Sequence, residues 1–289
     1  MLTLSHSTTV IEPFLSRLLS WMMGLTLVTI VAIGTSADAS AERRVALVIG
    51  NSNYKVADIS LANPRNDSRD VSAVLTTLGF EVVTAIDATK RDMEFALLRF
   101  ARLVIGADSA LFFYAGHAMR TDPDAPYPTA PQHPVIRPFQ GHNFLMPTDA
   151  EVEDEISRRY QTVDLEVVRA TLDRTSGVKI MILDACHTNP LIYRLQTIGI
   201  RRCLAPIDPS QDMVVAYATA LDEVAQDDQG RNSPFATALL KRLQEPGLEI
   251  QMLFRRVAAD VSAQTGGRQR PVIYRRLLSE YYFNPQPRR

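Results

Sequence analysis

At 289 residues, with 46% hydrophobic and 22% charged, the chain has an ordinary globular composition and the apolar material for one sizeable core. A formal net charge of -1 supplies no basic footprint for nucleic acid. Two cysteines, Cys186 and Cys203, exclude a disulfide scaffold and leave room for a single bridge. Cys186 is expected to stay a reactive thiol.

The first 41 residues differ from the rest. Arg17 precedes an apolar stretch over 21–33, and the small-residue sites Ala37-Asp38-Ala39 and Ala39-Ser40-Ala41 follow. A charged, then apolar, then small-residue order reads as a secretory signal peptide. The competing reading is an uncleaved anchor, since the apolar stretch is close to the shortest that spans a bilayer. The expected division is therefore 1–41 as signal peptide or N-terminal anchor and 42–289 as the folded domain. The mature chain is expected in the periplasm or outside the cell, with a membrane association only if the N-terminal segment is kept.

From Arg43 onward strand and helix patterns alternate. Residues 45–50 read as a buried strand closed by Asn51-Ser52-Asn53. Asn66 or Asp67 is expected to cap a helix carrying Val71, Val74, Leu75 and Leu78, stopped by Gly79. Residues 80–84 form a strand, and Met93, Ala96, Leu97, Phe100 and Val104 mark a second amphipathic helix. Next comes the apolar run 110–116, which ends at His117.

The stretch 121–142 holds six prolines and no helical period, so a surface loop is expected. A helix over 165–172 leads into the apolar run 178–185, which ends at Cys186. An irregular segment over about 189–211 carries Arg194, Arg201 and Arg202. Beyond it stand a strand at 213–217, helices at 234–243 and 249–263, and an edge strand near 271–274. The expected fold class is α/β, a mostly parallel central sheet flanked by helices on both faces.

Short apolar runs bounded by turn residues are buried strands of a parallel sheet, and ligands bind at the carboxyl ends of such strands. Two of them ending in His117 and Cys186 would set an imidazole beside a thiol. That pairing suits nucleophilic catalysis, because the thiolate is the nucleophile and imidazole titrates near neutral pH.

These residues occur in an ordered set: Arg44-Val45-Ala46-Leu47-Val48-Ile49-Gly50-Asn51, Asn63-Pro64-Arg65-Asn66-Asp67, Tyr114-Ala115-Gly116-His117, Asp184-Ala185-Cys186, Asn189-Pro190, Ala216-Tyr217-Ala218-Thr219 and Gly230-Arg231-Asn232-Ser233-Pro234. In order and spacing the set resembles the caspase-like cysteine peptidases, in particular the bacterial relatives of caspases and metacaspases. The resemblance runs from Arg43 to Phe283 and implies the caspase–haemoglobinase fold. Cys186 would attack the scissile carbonyl, with His117 as base and then acid. The amides of Cys186 and Ala118 would form the oxyanion hole. Most relatives place Gly where this chain has Ala118, so a backbone needing φ > 0 there would penalise it.

The resemblance also implies a pocket acid at Asp184 and a second after the fifth strand. Asp222 is the best match for the second, ahead of Asp227 and Asp228. Two carboxylates would favour Arg or Lys at the cleavage point. The family's division gives a large portion of about 42–190, a linker of about 190–211 open to self-cleavage at its arginines, and a small portion of about 212–289. The implied partner is a protein or peptide substrate. No metal and no cofactor is called for, and calcium dependence is left open. The alternative is a catalytically weak caspase-like domain acting as a regulatory or interaction module. A nucleotide-binding reading lacks both G-x-G-x-x-G and the P-loop.

Overall fold

The structure, a computed structural model, describes residues 42–121, 142–185, 200–220, 223–227 and 230–286. The N-terminal segment, most of the proline-rich stretch, Cys186 and Asp222 lie outside the described residues.

A six-stranded sheet carries the fold. Its strands are β1 (Arg44–Gly50), β2 (Phe80–Ile86), β3 (Ser109–Gly116), β7 (Val178–Ala185), β9 (Met213–Tyr217) and β10 (Val272–Arg276). The order is β10-β9-β7-β3-β1-β2, with every pairing parallel except that of β10 with β9. All residues of β1, β3 and β9 are buried, whereas β2 is half open as an edge strand should be. Burial on both faces is why the inner strands are apolar throughout rather than alternating.

Side chains leave each strand alternately toward two cores. Val45, Leu47, Phe112, Tyr114, Met181 and Leu183 face the helices α2 (Lys90–Leu103) and α4 (Leu165–Leu172). Ala46, Val48, Leu111, Phe113, Ile180 and Ile182 face α1 (Pro64–Thr77), α5 (Pro234–Leu243) and α6 (Ile250–Gln264). A further short helix, α3 (Glu155–Gln161), leads toward α4. Among the described residues no helix is long and apolar enough to cross a membrane.

Helix entries follow local chemistry. Thr89 and Asp92 close a reciprocal capping box on α2, and Ser233 caps α5 by accepting from the Ala236 amide at 2.9 Å. The start of α1 differs from the sequence expectation. Asn63 is its cap, without a side-chain capping bond to the helix amides, and Pro64 opens the helix. Proline's fixed φ suits that first turn, so the helix begins earlier and Asp67 becomes an interior residue of it.

A second sheet was not legible in the sequence. Its strands β4 (Ala118–Thr121), β5 (Asn143–Leu145), β6 (Val163–Asp164) and β8 (Ile200–Arg202) pair antiparallel in the order β6-β5-β4-β8. They are two to four residues long, too short to leave a period. The second sheet also changes the reading of the linker. Arg201 and Arg202 were expected in an irregular stretch, but their backbone is paired to Arg120 and Met119.

Candidate active site

Strands β3 and β7 run in register to their ends, with Gly116 opposite Ala185. His117 therefore leaves β3 at the sheet edge where β7 ends. Strand β4 begins at the residue after His117, so the small sheet grows directly out of this edge.

His117 is 1% exposed and held on three sides. Its backbone N–H donates to Tyr54 Oη at 2.8 Å, and its carbonyl accepts from Tyr114 Oη at 2.7 Å. Burial pushes both phenol pKa values up, so both remain protonated hydrogen-bonding groups. The ring Nε2 lies 2.7 Å from the Ile59 carbonyl. A carbonyl can only accept, so Nε2 carries the hydrogen, and in the neutral ring Nδ1 is the nitrogen that can take a proton. The clamp also explains Gly116. Its φ is +149°, and a Cβ there would lie 2.8 Å from both phenol oxygens.

Ala118 sits in β4, outside the positive-φ residues, so the penalty anticipated from replacing glycine there does not arise. Met146 donates to the His117 carbonyl and Thr121 to the His142 carbonyl. In an antiparallel ladder bonded and non-bonded positions alternate, which turns the Ala118 N–H away from β5 and toward the β8 side.

Asp184 is 1% exposed, and the alternation along β7 directs it to the α1/α5 face. There Oδ2 accepts from Ser233 Oγ at 2.6 Å, so one side chain both caps α5 and binds this carboxylate. The structure brings to the same place an acid that the sequence reading passed over. Asp67 Oδ1 accepts from the Ser233 amide and Asn232 Nδ2, both at 3.0 Å. Burial, and then the charge of Asp184, hold the Asp67 carboxyl well above the usual carboxylate range.

Asp227, one of the two lesser matches for the second pocket acid, accepts from the amides of Ala62 and Asn63 at the entry to α1 and adds to the negative field on Asp67. Asn63 Nδ2 donates to the Gly230 carbonyl and Asn66 Nδ2 to that of Arg231. Two of the sequence motifs, 63–67 and 230–234, are thus one hydrogen-bonded unit. Gly50 permits it: a Cβ there would meet Ser68 Oγ at 2.1 Å and the Pro64 carbonyl at 2.3 Å, so α1 could not pack this close.

A family model described as Peptidase_C14, caspase domain, matches residues 43–282. The chain belongs to that family. Among curated proteins, the chain is similar to mucosa-associated lymphoid tissue lymphoma translocation protein 1 of Homo sapiens, 26% identical over 241 residues, which is 78% of this chain and 25% of that protein. Its homolog in Mus musculus is 27% identical over 256 residues, 83% of this chain and 26% of the relative. The chain thus spans about a quarter of the length of the curated relatives it matches. The caspase domain is a cysteine-peptidase domain, and its six-stranded, mainly parallel sheet is the α/β architecture expected from the sequence.

Within that family the arrangement can do two things. It can present an oriented imidazole at the edge where β7 ends. It also gathers two buried carboxylates, Asp67 and Asp184, around Ser233. Sequence reasoning singled out His117 and Asp184 but not Tyr54, the Ile59 carbonyl or Asp67, which contact them or their partner Ser233. The one available signal was Asp67 within the 63–67 motif, where it was read as a helix cap.

Proposed function

We propose that this chain is a cysteine endopeptidase that uses a His117/Cys186 dyad and cleaves after Arg or Lys. The observation that carries the reading is the register of β3 and β7, whose paired last residues, Gly116 and Ala185, immediately precede His117 and Cys186 in the chain. In this scheme His117 takes the Cys186 proton, and the thiolate attacks the scissile carbonyl. The amides of Cys186 and Ala118 receive the developing oxyanion. On collapse the C–N bond breaks, the imidazolium returns its proton to the leaving amine, and water then hydrolyses the thioester.

The preference for a basic residue draws support from Asp184 and Asp67. A guanidinium or ammonium entering beside them would restore Asp67 to its charged form and form charge-assisted hydrogen bonds. Asp222, outside the described residues, remains part of the proposed pocket from the resemblance alone. The N-terminal segment supports export to the periplasm or beyond, and retention of that segment would tether the domain to the membrane. The substrate is a protein or peptide, with no role for nucleic acid at this net charge.

A second reading, a caspase-like regulatory module, is favoured by one observation: Cys203 is disulfide-bonded in a chain with two cysteines. Incubating the reduced mature chain with Arg-, Lys- and Asp-ending peptide reporters, beside Cys186→Ala, separates the two. The Arg and Lys reporters should be cut by the wild type alone. Turnover surviving in Cys186→Ala, or a preference for the Asp reporter, overturns the proposal.

A further inference from the structure

We propose that the outer face of α2 is a membrane-docking surface that lies on anionic phospholipid. Phe95 and Leu98 enter the lipid interface, and Arg91, Arg99 and Arg102 meet the headgroup phosphates. The inference does not rest on the peptidase reading. It gives the domain a contact with the bilayer whether or not the N-terminal segment is kept.

Helical geometry sets the face. Met93, Ala96, Leu97 and Phe100 are buried in the core between α2 and the sheet. The line opposite them on the helix is Arg91, Phe95, Leu98 and Arg102, spaced i, i+4, i+7 and i+11. Phe95 is 56% exposed and Leu98 58%, and Arg91, Arg99 and Arg102 are exposed beside them. Single apolar side chains scatter over any protein surface, but these two are neighbours on one helix crest.

Charge selects the occupant. Among the described residues Arg91, Arg99 and Arg102 form no ion pair, and the Arg91 guanidinium stands 5.4 Å from the centre of the Phe95 ring. The acids of the same helix are engaged: Asp92 closes the capping box with Thr89, and Glu94 lies 3.5 Å from Lys90. The crest therefore offers cations and apolar side chains together. That is the pattern of helices that lie in a lipid interface, where apolar groups reach the acyl boundary and cations are drawn to anionic headgroups.

Both ends of α2 extend the strip. At its start, Lys90 Nζ donates to the Tyr160 carbonyl at 2.7 Å, which sets the end of α3 alongside. Tyr160 and, one turn earlier, Ile156 are exposed there, and tyrosine suits the headgroup level with its apolar ring and polar tip. Beyond the other end stands exposed Ile105, whose carbonyl accepts from Arg43 Nη1 at 2.7 Å. The chain enters the domain at Arg43, so residues 1–41, with the apolar stretch 21–33, are joined to it at this end of the face.

The test uses residues 42–289, one compact unit without the N-terminal apolar stretch. Vesicles of phosphatidylcholine, alone or mixed with phosphatidylglycerol, are read by co-sedimentation. The domain should pellet with the mixed vesicles, stay in solution with the neutral ones, and be released as salt rises. Arg91→Gln/Arg99→Gln/Arg102→Gln should weaken binding about a hundredfold, since each arginine near an anionic surface is worth about fivefold. Phe95→Ser/Leu98→Ser should abolish pelleting with an unchanged melting temperature, because both side chains are already exposed. Trp21 is the one tryptophan of the chain and lies outside 42–289, so Phe95→Trp gives the domain a single indole. Its emission should shift to the blue on mixed vesicles alone. Wild type that ignores mixed vesicles, or pellets equally with neutral ones, overturns the proposal. Pelleting without the blue shift, or undiminished in the arginine variant, places any contact elsewhere and overturns it too. A domain that ignores vesicles but sediments as a dimer, broken by Phe95→Ser/Leu98→Ser, makes the face a contact between copies and refutes the membrane.

Discussion

Removing the Ser233 hydroxyl tests the joint between the helix layer and the acid at the end of β7. Ser233→Ala deletes two interactions at once: the cap on the Ala236 amide and the donor to Asp184 Oδ2. Loss of an N-cap costs about 1 kcal/mol. A buried acceptor left without its donor costs about 1–3 kcal/mol. Asp184 and Ser233 are each 1% exposed, so water cannot take over the lost bond without opening the structure. The expected total is roughly 2–4 kcal/mol. For a domain of this size that corresponds to a melting-temperature drop of roughly 4–16 °C. Urea unfolding followed by circular dichroism reads it as a lower midpoint at unchanged slope. Repeating the substitution in an Asp184→Ala background should shrink the loss toward the cap contribution of about 1 kcal/mol, since the acceptor it served is gone. A loss below about 0.5 kcal/mol, the scatter of ordinary surface changes, would refute the reasoning. So would full additivity in the double variant.

Cys186→Ala and His117→Ala should each abolish reporter hydrolysis, with the double variant no worse than either, because members of one catalytic unit are not additive; a double variant much weaker than both singles argues against a dyad. The folded-state pKa of Asp67 stands above its unfolded value, so the stability it contributes is full below about 4 and is lost as pH rises toward about 8. Asp67→Asn should therefore be the more stable protein at pH 8–9, measured by melting temperature, while wild-type KM for an Arg reporter falls as pH rises through the same window. Loss of the Asp67 charge should cost about 2–5 kcal/mol in kcat/KM for basic reporters, and a flat KM profile in the wild type speaks against a cation beside Asp67. Tyr54→Phe leaves the buried His117 N–H without its acceptor, at about 1–3 kcal/mol of stability, and should lower kcat more than KM; an unchanged kcat removes Tyr54 from the positioning of His117.

Alternation of apolar runs with helical periods was enough to read the parallel sheet, its two helix layers and the strand-end locations of His117 and Asp184. Those features follow from burial, which writes itself into continuous apolar runs in the inner strands and into every third to fourth residue of the helices. The small sheet was illegible, because strands of two to four residues carry no period and are held by partners far along the chain. Asp67 looked like a helix cap until the Ser233 amide, 166 positions away, reached its carboxylate. Tyr54 reaches the His117 amide across 63 residues in the same way.

Residue types and local spacing determined which groups were available for chemistry, since a thiol, an imidazole and carboxylates are chemical facts of the sequence. The tertiary structure decided which of them share charge, which are clamped and which are bonded. Those depend on distances between groups that chain order does not constrain, and on burial that strengthens every interaction once water is excluded. Arg201 and Arg202, part of an irregular linker by sequence, became strand residues only when β8 folded back onto β4.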